Sequence, residues 1–193
     1  SLCAIDHGRS VDTTMGFTPA EGLIMGTRCG DVDAGILAFL ERSEGLTATQ
    51  SEEMLNKKSG LLGISGISSD MREILKAADD GDARAILALK AYCYRVRKYI
   101  GAYAAAMEGL DVIVFTGGVG QGSEVVRALA LQGLRGMGIK LDEERNRTAR
   151  GFDEVCRIST DDSKVTVLVV PTDEERMMAR EALRTLSRSY LAK

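Results

Sequence analysis

The sequence predicts a mixed α/β fold, and three features carry that prediction. Asp111-Val-Ile-Val-Phe115 and Val165–Val170 are short, nearly continuous apolar runs, the character of strands buried on both faces. Ahead of them, Ile86, Leu89, Cys93, Val96, Ile100, Tyr103 and Met107 recur at alternating steps of three and four. That stripe occupies one face of a helix of about six turns. Strands alternating with helices imply parallel pairing in part of the sheet. In such sheets ligands bind beyond the carboxyl ends of strands, which marks the residues after Phe115 and after Val170.

The remaining elements follow in chain order. Ser1–Ile5 and Ser10–Thr14 are strand-like runs around Asp6-His7-Gly8-Arg9, a hairpin with turn formers at its tip. Met15 to Gly35 carries Gly16, Gly22, Gly26, Gly30 and Gly35 and reads as loop. Ile36–Arg42 and Ser51–Asn56 are short helices, and Gly60, Gly63 and Gly66 break the chain before Ser69-Asp70 caps a helix from Met71. The long helix ends near Gly109. A glycine-rich turn after Phe115 leads into a helix from about Ser123 to Gly133, and Thr172 opens the last helix. Lys140 to Asp162 holds 12 charged residues and is expected to be exposed. Internal repeats and low-complexity segments are absent from the sequence.

At 193 residues the chain is expected to form one domain, 1–193. With 25 basic against 28 acidic residues the net charge is −3, which excludes broad nucleic-acid binding by phosphate neutralisation but leaves local sites for small anions. A single histidine, His7, makes a histidine-built metal site or relay a poor fit, and its turn location suggests an exposed, inert residue. Cys3, Cys29, Cys93 and Cys156 form no C-x-x-C pair and read as reduced thiols of a cytoplasmic protein, with Cys93 packed in the helix stripe. Tyr92, Tyr94, Tyr99 and Tyr103 read as packing on the same helix. The longest uncharged stretch, Val112 to Ser123, falls short of the ~20 apolar residues of a membrane helix. No signal-peptide pattern opens the chain, which starts at Ser1 in strand-like residues, as a fragment would.

Four places could carry chemistry. Thr116-Gly-Gly-Val-Gly-Gln-Gly-Ser123 offers bare amides and the start of a helix, a geometry that suits a nucleotide. It is not the dinucleotide fingerprint, because counting G-x-G-x-x-G from Gly118 puts Ser123 at the third glycine, and no Walker A Gly-Lys-Ser/Thr follows. The alternative is a tight turn with no ligand. In Pro171-Thr-Asp-Glu-Glu175, Thr172 and Glu175 have capping-box spacing, which leaves Glu174 to hold Mg²⁺ against bound phosphates or to serve the helix dipole. In Met25-Gly-Thr-Arg-Cys-Gly-Asp31, Arg28 stands between glycines, suited to a bidentate hold on phosphate or to an ion pair with Asp31 or Asp33. Asp70-Met71-Arg72 offers a polar pair or a simple cap.

Together these strings resemble the acetate kinase family. The resemblance rests, in order, on Ser10-Val-Asp-Thr-Thr-Met-Gly-Phe-Thr-Pro19 with Glu21-Gly22, on Met25-Gly-Thr-Arg28, and on Leu55-Asn-Lys-Lys-Ser-Gly-Leu-Leu-Gly-Ile-Ser65. It continues through Tyr99-Ile-Gly-Ala-Tyr-Ala-Ala-Ala106, Val114-Phe-Thr-Gly-Gly118 and Pro171-Thr172 with Glu174-Glu175, reaching about Arg184. It implies a ribonuclease H-like lobe of the acetate and sugar kinase, heat-shock chaperone and actin superfamily. It further implies the C-terminal lobe only, with that lobe's first strand, the N-terminal lobe and the catalytic histidine upstream of residue 1.

The implied reaction is reversible transfer of the γ-phosphoryl group of ATP to acetate, giving acetyl phosphate and ADP, with Mg²⁺ or Mn²⁺, in a cytoplasmic homodimer. Matched position by position, Arg28 is the arginine that stabilises the transferring group, Glu174 the magnesium-associated glutamate, Asp70, Met71 and Arg72 the adenosine-contacting segment, and Gly118, Val119, Gly120, Gln121 and Gly122 the nucleotide loop. Gln121-Gly122 stand where the family usually has Glu-Asn, and Cys29 stands for its usual Ser. Propionate kinase is the near alternative. The rival of another class is a non-catalytic nucleotide-binding or dimerisation module. Nucleic-acid and membrane partners are not expected, and the lobe alone is expected to be catalytically inactive.

Overall fold

A computed structural model of the chain describes residues 1–149 and 154–191, with the side chains of the last helix described to residue 187. The chain opens with an antiparallel hairpin, β1 (Cys3–Asp6) and β2 (Arg9–Thr13), whose register slips between Ala4 and Ile5. His7 and Gly8 make the turn with φ of 47° and 77°, the doubly positive geometry that matches hairpin twist. A loop without helix or strand follows to residue 34, as the glycines predict.

Helices α1 (Gly35–Glu44), α2 (Ala48–Lys57), α3 (Gly60–Ser65) and α4 (Met71–Asp79) come next. α2 starts earlier than expected, because Thr47 and Gln50 form a capping box ahead of Ser51. α3 corrects the expectation that Gly60, Gly63 and Gly66 break the chain. Gly60 is the first residue of a helix, and it is glycine because a side chain has no room there: with φ of 61°, a Cβ would lie 2.2 Å from the Met25 carbonyl oxygen. Only Gly66, a left-handed C-cap, stops a helix. Asp70 caps α4 as predicted, its carboxylate accepting from the Arg72 amide.

α5 (Ala83–Ala106) is the predicted long helix, and it joins two apolar clusters. Its first half buries Ala85, Ala88, Leu89 and Cys93 against Leu61 of α3, Ile74 of α4 and Val126. Its second half buries Val96 and Ile100 against the sheet. Tyr94 departs from its predicted packing role: it is 59% exposed, because its position falls outside the stripe, and Lys98 lies over its ring.

The sheet holds β3 (Val112–Phe115), β4 (Cys156–Arg157) and β5 (Thr166–Val169) in the order β3-β5-β4, β5 parallel to β3 and antiparallel to β4. Between β3 and β4 lie α6 (Gly117–Gly122), α7 (Glu124–Leu131), a short 3-10 turn at Leu134–Met137, and α8 (Glu143–Thr148). β5 has Val167 and Val169 fully buried, whereas Val112 and Val114 of β3 are 45% and 50% exposed, so burial on both faces fails for β3. The sheet edge beyond β3 has no strand partner among the described residues.

The charged segment 140–162 is also less exposed than expected. Asn146 of α8 is buried in it, as are Ala149, Ile158 and Ser159 just beyond α8 and β4, while Glu143, Glu144, Arg147, Glu154, Arg157, Asp161 and Asp162 face solvent; residues 150–153 lie outside the described part. The chain ends in α9 (Glu174–Leu191). Here Asp173, not Thr172, is the cap: its carboxylate accepts from the Arg176 amide. Among the described residues no helix is long and apolar enough to cross a membrane.

Candidate functional site

The parallel pair β3/β5 fixes the geometry of the site. Phe115 stands opposite Val169, so both strands end at the same edge and the two segments marked from sequence leave it side by side. Backbone and side chains stitch them together: the Val170 amide donates to the Phe115 carbonyl at 2.9 Å, and the Thr116 hydroxyl to the Val170 carbonyl at 3.0 Å. Beyond them Thr172 donates to Oε1 of Gln121 at 3.2 Å. The hydroxyl expected to cap the last helix instead ties the two strand ends to each other.

Gly118 to Gly122, expected as an open turn before a helix at Ser123, are helical themselves. Gly117 enters α6 with φ of 68°, and Ser123 then caps α7, its hydroxyl accepting from the Val126 amide. A Cβ added at Gly117, Gly118 or Gly122 would meet nothing within 4 Å, so the space outside this turn is open. A residue overlooked in the sequence holds the turn in place. Arg127, on α7 and 1% exposed, donates to the carbonyls of Gly120 and Gln121 at 2.9 and 2.8 Å, to Asn146 of α8 and to Ala149 just beyond it. Its signal is an arginine inside the apolar run Val125-Val-Arg-Ala-Leu-Ala-Leu131, a position that demands buried acceptors.

Arg28 lies on the loop after β2, exposed, and its guanidinium has no partner among the described residues. The expected competing ion pairs do not form, since Asp31 pairs with Arg95 at 2.6 Å and Asp33 caps the Gly35 amide. The loop backbone itself is fixed from outside. The Cys29 amide donates to Leu55, Ser59 to Thr27, and Leu61 and Leu62 to Met25 and Gly26. A Cβ on Gly26 would sit 2.8 Å from the Ser69 carbonyl oxygen, so the loop packs directly against the start of α4.

These approaches enclose a cavity of about 190 Å³, lined among others by Met25, Gly26, Leu61, Ser69, Met71 and Val119. It brings together the Arg28 loop, the 70–72 segment and the glycine turn, three of the sequence-predicted places. Met71 and Val119 are on its wall; Asp70, Arg72, Arg28, Gly118, Gly120, Gln121, Gly122 and Glu174 are not. Asp70 is committed to the helix cap and to Arg72, whose guanidinium bonds hold the carboxyl down at about 2. A larger groove of about 830 Å³ runs between α1, α2 and the loop; Glu21, Asp31, Glu41 and Glu52 line it with no basic residue, an environment that repels phosphates.

Glu174 is exposed in the first turn of α9, two residues past the Thr172–Gln121 tie. Among the described residues no three His, Cys, Asp or Glu side chains gather as a metal cage. His7 is exposed in the hairpin turn, 2.7 Å from Asp6. The four cysteines are free thiols, and burial pushes the Cys93 thiol up to about 12.

Residues 1–180 match the acetokinase family. The acetate kinase of Dictyoglomus turgidum is 54% identical over 193 residues, which are 100% of this chain and 47% of that protein. The crystal structure of Porphyromonas gingivalis acetate kinase superposes with a TM-score of 0.90 at 52% identity, over 95% of this chain and 46% of that one. A propionate kinase from Francisella tularensis superposes with a TM-score of 0.85 at 38% identity, over 93% and 45%. The chain thus spans about half the length of the relatives it matches, and the matches do not assign that half to their C-terminal end. Its mixed sheet flanked by helices is the α/β fold of the solved acetate kinases, and the chain belongs to the acetokinase family.

Proposed function

We propose that this chain is the nucleotide-binding half of a kinase that moves the γ-phosphoryl group of ATP to acetate and back. The observation that carries the reading is the cavity in which Met25-Gly26, Met71 and Val119 meet, three segments far apart in sequence. In transfer toward acetate, a carboxylate oxygen of acetate forms a bond to the γ-phosphorus while the bond to the β,γ-bridging oxygen breaks and ADP leaves. The protein supplies position and charge, and no protein nucleophile is needed.

Arg28, exposed and unpaired on a fixed loop, places a planar guanidinium against the transferring group. The adenosine lies along Asp70, Met71 and Arg72, with Met71 as the apolar wall and the Asp70–Arg72 pair fixing the helix start. The glycine helix that carries Gly118–Gly122, with open space outside it at Gly117, Gly118 and Gly122 and its carbonyls held by Arg127, receives the phosphates. Glu174 lies between Asp173, which caps α9, and Glu175, two residues past the Thr172–Gln121 bond to that segment, and a carboxylate there fits Mg²⁺ or Mn²⁺, since Mg²⁺ is usually held by one or two carboxylates, substrate phosphates and water. When bound, the ion offsets charge on the phosphate oxygens.

Acetate is the proposed acceptor and propionate the near alternative, since the solved acetate kinases are 52% and 36% identical to this chain and the propionate kinase 38%. Two further features support half of a larger, paired enzyme. β3 is an uncharged apolar strand at an open sheet edge, which proteins ordinarily cover, consistent with a strand from the rest of the kinase. Val32, Ile36, Leu37 and Phe39 are 48, 37, 43 and 51% exposed on and before α1, consistent with a homodimer. The reading includes a cytoplasmic location and no catalysis by this chain alone. A coupled assay of the full-length kinase with ATP, Mg²⁺ and acetate or propionate is expected to yield acyl phosphate, with acetate preferred. No acyl phosphate with either acid would sink the proposal.

A further inference from the structure

Resting on that reading, we propose that Asp31, Arg95 and Tyr99 form a latch that sets the position of Arg28, which makes Asp31 and Tyr99 positioning residues for phosphoryl transfer. The loop bearing Arg28 closes at its base, where the Gly22 amide donates to Oδ1 of Asp31 at 2.8 Å and the Asp31 amide to the Gly22 carbonyl at 3.0 Å. The two stems touch so closely that a Cβ on Gly30, with φ of 72°, would lie 2.7 Å from the Gly22 oxygen.

α5 grips this base from outside. Arg95 and Tyr99 stand four residues apart and share a helix face. Arg95 donates to Oδ2 of Asp31 at 2.6 Å and to the Gly22 carbonyl at 3.3 Å, and the Tyr99 hydroxyl donates to the same Oδ2 at 2.8 Å. Both oxygens of the Asp31 carboxylate are thus used, one on its own loop and one on the helix.

Arg28 lies only three positions before this anchor. The other side of the loop hangs on the α2–α3 connection, through Thr27 to Asn56 and Ser59 to Thr27. Between two fixed flanks the Arg28 guanidinium is the free end. The latch is a poor choice if stability alone is at stake, since side chains 38% and 23% exposed on Asp31 and Arg95 gain little from pairing. It is a good choice for direction, because a bidentate set of bonds admits one loop geometry. A carboxylate also receives donors on both of its oxygens, which an amide cannot: an asparagine side chain at this position would turn its N–H₂ toward either the Gly22 amide or the two donors of α5.

The test uses the full-length kinase carrying Asp31→Asn or Tyr99→Phe, with kcat, both KM values and the thermal midpoint measured. Asp31→Asn is expected to lower kcat at least about 10-fold, since misplacement near 1 Å can cost about 100-fold. KM for ATP stays within about twofold, because Met71 and Val119 of the cavity wall are untouched and Met25 and Gly26 keep their bonds to Leu61 and Leu62. Tyr99→Phe, which removes only a hydroxyl and so keeps the fold if Asp31→Asn does not, is expected to lower kcat about threefold, in line with one lost hydrogen bond. Unchanged kcat in both variants overturns the latch, and so does a kcat that falls only alongside the thermal midpoint. A wild-type enzyme that makes no acyl phosphate sinks the proposed function; an active wild type, an inactive Arg28→Ala and fully active latch variants sink the latch alone.

Discussion

The two charged groups proposed to serve phosphoryl transfer sit on opposite kinds of support. Arg28 rides an irregular loop that distant elements hold: α5 through Asp31, the α2–α3 connection through Thr27, Met25 and Gly26, and the α4 start through Ser69. Glu174 rides the first turn of a regular helix whose described side chains, from 174 to 187, are all exposed, and where the hydrogen bonds of Asp173, Arg184, Thr185 and Ser187 are local. Its root is fixed by β5 and the Thr172–Gln121 bond. The irregular segment is therefore the better determined of the two. Long-range closure positions a side chain more firmly than helix propensity does, because one helix can swing as a unit while a loop bonded on three sides cannot.

Removing Arg28 is the widest test of that contrast. With Arg28→Ala in the full-length kinase, kcat for acyl phosphate formation is expected to fall about 10³-fold or more, the scale of a lost charge-stabilising arginine. Glu174→Gln is expected to cost less at saturating Mg²⁺ and to shift the Mg²⁺ dependence upward, because water and phosphates still supply most of the ion's ligands. Equal losses from the two substitutions would erase the distinction between the well-held and the loosely held group.

Next in size are changes to the supports. Arg127→Met strips donors from the buried carbonyls of Gly120, Gln121, Asn146 and Ala149. A loss of about 3 kcal/mol is expected in denaturant melts, with a raised KM for ATP, since several buried acceptors go unpaired. Gly60→Ala is expected to cost about 2–3 kcal/mol and to lower kcat, because the added carbon would press on the Met25 and Arg28 carbonyls that shape the loop. Thr172→Val removes one partly buried bond and is expected to cost about 1 kcal/mol or less. A larger effect at Thr172 than at Gly60 would mean that the helix root, not the loop, is the rigid part of the site.

What was legible in the sequence divides along the same line. Periodicity marks α5, continuous apolar character marks β3 and β5, and the motif order marks the family, all signals written within a few residues. The misreadings fall where distant parts decide. Gly60 reads as a breaker until the Met25 carbonyl is placed 2.2 Å from its missing Cβ. Thr172 reads as a cap until Gln121, 51 residues away, takes its hydroxyl. Asp31 reads as a partner for Arg28 until Arg95 and Tyr99 arrive from 64 and 68 residues away. Burial of Arg127 is legible only as an anomaly, a charge in an apolar run.

The smallest expected effect concerns pH and isolates the Asp31 latch from the helix side of the site. Burial alone would raise the Asp31 carboxyl, but the Tyr99 hydroxyl, the Gly22 amide and Arg95 outweigh it and hold the carboxyl below its ordinary value. A group depressed on folding stabilises the folded state above its unfolded value, about 3.9, and that contribution disappears as pH falls through the lower folded value. Asp70, Asp161 and Asp162 are depressed as well, by exposed partners, so wild-type stability declines below about pH 4 for several reasons. The informative quantity is the difference between wild type and Asp31→Asn in thermal melts from neutral pH downward. It is expected to be constant above about pH 5 and to shrink below about pH 4, where the wild-type carboxyl takes up its proton. A difference that does not change with pH would mean that the charge on Asp31 contributes nothing to holding the loop, and that the latch works through shape alone.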